Sequence, residues 1–185
     1  MASPHRYAAI AIASAICLTT VGFLIVKSQP TELQDLIGPA VAMDGDDLLL
    51  GDVDARLFGV DAPESDQWCE DARGQKYQCG EVSRKILADL VDGRLVTCKT
   101  VGKRLDGRPW VVCHIEDGTL VNAELVHAGA AVVYHRTPKV YALEEREAKA
   151  EMRGIWAGKF DPPHCFRRWK DKRLSASCAS RPSVN

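Results

Sequence analysis

Hydrophobic and polar positions change period several times along the chain, and each change marks an element. Residues 7–26 (YAAIAIASAICLTTVGFLIV) carry no charge. Twenty such positions in a helix span about 30 Å, the thickness of a bilayer core. Residues 28–35 are a polar linker. From 36 the pattern becomes β-like: 36–43 is mostly apolar, and Asp44-Gly45-Asp46 turns the chain. A short run at 47–50 leads to a second turn at Gly51-Asp52, and 53–60 then alternates. Two runs around Gly-Asp predict a hairpin. Residues 65–78 read as a polar loop. At 80–91 the period turns helical, with Val82, Ile86, Leu87, Leu90 and Val91 on one face and Asp92-Gly93 as the stop. Strands are predicted over 94–101 and 109–115, around a turn at 103–108. Helices follow over 121–127 and 142–153, stopping at Gly129 and Gly154. The sum is an α+β domain: a closed five-stranded β-barrel of the OB type with three helices packed on it. The domain is expected over 36–157, after an apolar segment (1–27) and the linker, and before a basic, Cys-containing tail (158–185).

Charge changes this picture only locally. Lys and Arg number 24 against 25 Asp and Glu, a net charge of −1, so the chain is no bulk polyanion binder, and any polyanion must meet a local patch. The tail from Glu151 holds eight Lys/Arg and three acids, +5, which leaves −6 for the first 150 residues. Phe166-Arg167-Arg168-Trp169-Lys170 mixes aromatics with cations and suits an anionic surface, but the expectation for this tail is a solvated basic segment.

The apolar run is flanked by Arg6 and Lys27, with Glu32 and Asp35 beyond. That asymmetry favours a cytoplasmic N-terminus and an exported remainder, periplasmic or extracellular. An uncleaved membrane anchor and a cleaved signal peptide both fit. Six of the seven cysteines lie outside the run: Cys69, Cys79, Cys98, Cys113, Cys165 and Cys178. An even set in an oxidising compartment predicts disulfides. Six cysteines allow fifteen connectivities, which sequence does not resolve; local pairing (69–79, 98–113, 165–178) is the expectation. No Cys-x-x-Cys occurs and the histidines lack ligand spacing, which argues against structural zinc.

The chemistry concentrates in Asp44-Gly45-Asp46, in Arg56-Leu57-Phe58-Gly59-Val60-Asp61-Ala62-Pro63-Glu64, and in Asp106-Gly107-Arg108. If these converge, Asp46 and Asp61 supply hard oxygen ligands for calcium or magnesium. Glu64 lies within reach of a water as general base. Arg56 and Arg108 offer planar forks to a phosphoryl group. A phosphodiester under attack by water gains charge on its oxygens, and two guanidiniums with one divalent cation answer that charge.

These segments resemble the thermonuclease family, the staphylococcal-nuclease-like proteins. The matching pieces are DGD (44–46), RLFGVDAPE (56–64), KYQCGEVS (76–83), GR (107–108), LVNAELVHAGAA (120–131) and EAKAEMRGIW (147–156). The likeness extends to exported bacterial members with an insertion like Gln67-x-Cys69…Tyr77-x-Cys79-Gly80, a subgroup that includes a succinoglycan biosynthesis protein. The resemblance implies an OB-fold and calcium-dependent hydrolysis of DNA and RNA to 3′-phosphates. Residue by residue, it implies calcium on Asp46, Asp61 and the carbonyl of Ala62. Glu64 matches the general base and Arg56 and Arg108 the phosphate-binding arginines, while Trp156 is a packing residue.

Departures from the family pattern qualify that reading. Asp47 stands where Thr is usual, and Leu105 and Asp106 replace a basic residue and a Tyr. Tyr134 is the one candidate for the tyrosines that pack on the nucleotide. With the −6 balance, weak nucleic-acid affinity and steep salt dependence are expected. The rival function is a non-catalytic accessory module of the envelope or of exopolysaccharide biosynthesis. A third is hydrolysis of another phosphodiester. No protein partner is implied.

Overall fold

Alternation of buried and open side chains sets the strands, and a first strand interrupted at one proline pairs at both ends of the sheet. The computed structural model describes residues 35–172 and Cys178. The apolar run at 7–26, the export and anchoring expected of it, most of the linker and the rest of the tail lie outside the described residues. Among the described residues no helix is long and apolar enough to cross a membrane.

The chain begins with β1 (Leu36–Gly38) and β2 (Ala40–Ala42), followed by β3 (Asp47–Leu50), β4 (Val53–Leu57) and β5 (Val60–Asp61). Pro39 has no N–H to give a ladder, so it separates β1 from β2. Next come β6 (Cys69–Glu70), β7 (Lys76–Tyr77), α1 (Cys79–Val91), β8 (Val96–Lys103) and β9 (Pro109–Ile115). The rest comprises α2 (Val121–His127), β10 (Val132–Val133), α3 (Ala142–Ala150), a 3₁₀ turn at Gly154–Ala157 and α4 (Pro163–Lys170). The main sheet runs β1-β8-β9-β4-β3-β2. Because β1 and β2 are two halves of one strand, pairing at opposite ends of this order closes the five-stranded barrel. All its pairs are antiparallel except β4 with β9.

Leu48, Leu50, Ala55, Leu57, Val96, Val111 and Ile115 point inward and meet Leu87 and Val91 of α1 and Val121, Leu125 and Val126 of α2. Each fully buried Leu among them contributes roughly 1.5–3 kcal/mol. Cys98 faces Cys113 across β8 and β9, and their disulfide lies in this core. Cys69–Cys79 and Cys165–Cys178 are also joined, so all three local pairings hold.

Several expectations need correction. The three helices expected on the barrel are α1, α2 and α3; among the described residues a fourth, α4, follows in the tail. The polar loop at 65–78 carries the small β6–β7 hairpin, pinned to the start of α1 by Cys69–Cys79. β8 is shifted two residues toward the C-terminus of the expected strand, with an irregularity between Thr100 and Gly102. The buried face of α1 is rotated from the predicted one: Val82 is exposed, while Ser83 points inward and donates to the Ala130 carbonyl at 2.7 Å. Helix α3 ends at Ala150, because the chain turns left-handed at Met152.

The tail is the largest correction. Residues 163–170 are a docked helix and not a solvated run. An isolated eight-residue helix is marginal in water. This one starts on Pro163, buries Cys165, is tied by Cys165–Cys178, and its Trp169 indole N–H donates to the Cys178 carbonyl at 2.9 Å.

Candidate active site

The site begins at the tight turn between β2 and β3. A Cβ on Gly45 would come within 2.3 Å of Ser83 Oγ and 2.6 Å of Ala62 Cβ, so only glycine lets this turn sit against α1 and the segment after β5. The turn delivers Asp46 to the barrel rim, where the Asp46 carbonyl accepts from Leu57 N–H at 2.9 Å. Register places Asp47 opposite Arg56. Asn122 on α2 then fixes the end of β4 against β9: its side chain donates to the Phe58 and Val111 carbonyls and accepts from Cys113 N–H.

At this rim Arg56 is buried and ion-paired with Asp46. It also donates to Asp47 Oδ2 at 3.1 Å and lies 3.6 Å from Asp61 Oδ1. Asp46 Oδ2 accepts from the Ala62 N–H at 2.9 Å. Arg108 donates to the same Asp47 oxygen at 2.9 Å. Asp47, the departure from the family pattern, is thus a clamp between the two arginines. Asp106 is equally committed: its carboxylate accepts from Arg104 Nε at 2.9 Å, from Arg108 Nε at 3.2 Å and from Arg108 N–H at 3.1 Å. Burial works against the charge of this exposed carboxyl, but those bonds hold it down at about 2.

Arg167, which no spacing rule singled out, reaches this site from α4. Its guanidinium donates to Glu64 Oε1 at 2.5 Å and to Asp61 Oδ1 at 2.7 Å. Sequence carried one signal for it, the cationic-aromatic run at 166–170, but 103 positions separate it from Glu64. Gln67 makes the link. Fully buried, it accepts from Glu64 N–H and donates to the Asp161 carbonyl at 2.7 Å, just ahead of α4. A Cβ on Gly80 would lie 1.8 Å from the Glu64 carbonyl oxygen, so the first turn of α1 also holds Glu64 in place.

Four carboxylates (Asp46, Asp47, Asp61, Glu64) therefore face three guanidiniums (Arg56, Arg108, Arg167). Burial pushes the Asp46 carboxyl well above the usual carboxylate range; Arg56 pulls against it, and Asp47 and Asp61 add to the rise. Burial works against the Arg56 charge, but Asp46, Asp47 and Asp61 hold it above its ordinary pKa. Asp47 Oδ1 and Asp61 Oδ2 are buried without a hydrogen-bond partner. The rim is short of positive charge and rich in oxygen donors, which suits a hard divalent cation.

Beside it opens a cleft of about 690 Å³, lined by Glu64, Asp171, Tyr134, His135 and His164 and by five cations, Arg104, Arg136, Arg167, Arg168 and Lys170. Three of the cations come from α4. Tyr134 is joined by Trp110 at 5.8 Å between centroids, and Arg104 lies 4.9 Å over the Trp110 ring. Trp110 and Tyr134 thus form an aromatic pair beside Arg104. Trp156 packs edge-on against Phe160, away from this chemistry.

The family model for the staphylococcal nuclease homologue matches residues 54–158. The chain belongs to this family. The match to the nuclease homologues starts after Asp46 and Asp47 and stops before α4, so the rim turn and the docked helix lie outside it. Among its relatives, Succinoglycan biosynthesis protein ExoI of Rhizobium meliloti (strain 1021) is 34% identical over 84% of this chain and 82% of its own length. An uncharacterized endonuclease of Escherichia coli O157:H7 is 32% identical over 80% of this chain and 95% of its own. Protein ParB of Escherichia coli is 32% identical over 66% of this chain and 68% of its own.

Proposed function

We propose that this chain is an exported, calcium-dependent nuclease that hydrolyses phosphodiester bonds of DNA or RNA. The observation that carries the reading is the meeting of Asp46, Arg56, Asp61, Glu64 and Arg108 with a cation-lined cleft at one rim of the barrel. Family membership and relatives named as endonucleases support it. Three disulfides support an oxidising, extracytoplasmic compartment.

Asp46 and Asp61, with the Ala62 carbonyl, are the groups that would hold the ion. Bound there, it supplies Lewis-acid polarisation of a phosphoryl oxygen. Glu64 takes the proton of the attacking water. Arg56 and Arg108 donate to the non-bridging oxygens as their charge grows. Arg167 must release Glu64 before that carboxylate accepts a proton, and its guanidinium is then free for the phosphoryl group. Trp110 and Tyr134 offer π-faces to a base, while Arg136, Arg168 and Lys170 meet flanking phosphates.

In the test, the full disulfide-bonded chain is incubated with single-stranded DNA and calcium. Cleavage is expected, abolished by chelator and lowered about 10²–10⁴-fold by Glu64→Gln. An unchanged rate in that variant removes Glu64 from the mechanism. The closure of Arg167 over Asp61 and Glu64 favours one rival, an accessory role in envelope or exopolysaccharide assembly. A folded, calcium-supplied protein without hydrolytic activity decides for the rival.

A further inference from the structure

We propose that Asp61, His135 and His164 form a second metal site, sharing the Asp61 carboxylate with the proposed calcium position, of mixed nitrogen and oxygen ligands, for a divalent ion of borderline softness such as zinc. One ligand atom from each of the three side chains lies within 4.8 Å of the other two. In a tetrahedral site with bonds near 2.0–2.1 Å, ligand atoms stand about 3.3 Å apart. Binding therefore asks the three side chains to draw closer than they stand without the ion. The two imidazoles already lie together, with centroids 4.3 Å apart and planes tilted by 36°.

The second observation is at Asp61. Its side chain is almost fully buried, Oδ1 is taken by Arg167, and Oδ2 has no hydrogen-bond partner. A buried carboxylate oxygen left without a partner is costly, and a metal ion removes the cost. Two rings stacked only as the end of the aromatic row Trp110–Tyr134–His135–His164 would leave that oxygen as it is.

The ligands are also held from outside. Asp61 sits on β5, paired with Val132 of β10. His135 follows Tyr134, whose N–H donates to the Gly59 carbonyl at 2.9 Å. His164 rides on α4, fixed by the neighbouring Cys165–Cys178 disulfide. Those two sulfurs lie near His164 but are bonded to one another and do not act as thiolate ligands. Two imidazoles select zinc, cobalt or nickel over calcium. His135 and His164 line the open cleft while Asp61 lies buried behind them, so three protein ligands leave a position on the cleft side for water or a substrate oxygen. The guanidiniums of Arg136, Arg167 and Arg168 oppose a cation here, so affinity is expected to be modest, with Kd on the order of 10 μM.

Zinc alone provides the test, titrated calorimetrically into the untagged, disulfide-bonded full chain without calcium or nucleic acid. One equivalent should bind. His135→Asn and His164→Gln should each weaken binding about tenfold or more, whereas His114→Ala and His127→Ala should leave it unchanged. Cobalt should give visible absorption bands that vanish in the same two variants. The absence of zinc binding at about 100 μM, or full binding by the folded His135→Asn/His164→Gln double variant, overturns the proposal. Neither readout depends on hydrolysis, so failure here is distinct from failure of the nuclease reading.

Discussion

Arg167 stands between two carboxylates with different tasks, and its charge acts on both. It pairs with Asp61, expected to hold calcium, and with Glu64, expected to be the base. Two unit charges about 4 Å apart interact by about 4 kcal/mol in a medium near the protein surface, and less where water screens them. Arg167 is partly exposed, so the discount is real. Replacing it by Gln removes a cation that competes for Asp61. Calcium is expected to bind several-fold more tightly to Arg167→Gln in a calorimetric titration, while turnover falls. Weaker calcium binding would show that Arg167 holds Asp61 in position and does not compete. Arg56 is the opposite case. It lies deeper, faces three carboxylates, and its loss would strand buried negative charge, a cost of about 3–5 kcal/mol. The types and order of these residues were legible in the chain. The pairing of Asp47 with both arginines was not, because an added acid beside a phosphate site reads equally as a ligand or as a repulsive charge until its partners are known.

At the scale of elements, the site depends on close backbone contacts made by glycines. Gly80, in the first turn of α1, lies against the Glu64 carbonyl, and the atoms a side chain would meet, from Glu64 and Ser65, are all backbone and leave no flexible neighbour to yield. Gly80→Ala is expected to lower stability by roughly 1–3 kcal/mol and to reduce hydrolysis more than that loss alone explains, because Glu64 is displaced. Urea unfolding together with kcat measured on the folded fraction separates the two effects. Strand pattern and helix period located the barrel strands, α1 and α2, since period 2 and period 3.6 are local signals. Helix α4 escaped because its composition is that of a solvated charged segment. What makes it a helix is non-local: a disulfide to Cys178, the Gln67–Asp161 hydrogen bond, and ion pairs to Asp61 and Glu64.

For the whole molecule, net charge predicts one behaviour and charge placement another. The excess of acid over the first 150 residues implied poor affinity for nucleic acid. Yet α4 carries Arg167, Arg168 and Lys170 into the cleft beside Arg104 and Arg136. Binding of single-stranded DNA is therefore expected to fall linearly on a log–log plot against salt. Arg136→Ala and Arg168→Ala should each reduce that slope by about 0.7, the value for each phosphate that a protein neutralises on a single strand. A slope unchanged in both variants would place the strand elsewhere. By itself the sequence determined the barrel strands and the acidic and basic residues of the rim, because these follow from periodicity and residue chemistry; it offered local cysteine pairing as one of fifteen connectivities, and the fold selected it. The tertiary structure alone decided that α4, the described helix of the basic tail, packs against that rim. It also brought Asp61, His135 and His164 together, and it left the buried Oδ2 of Asp61 without a hydrogen-bond partner. Each of those facts rests on contacts between segments far apart in the chain, whose free energy is set by burial and charge in the folded state and leaves no local trace.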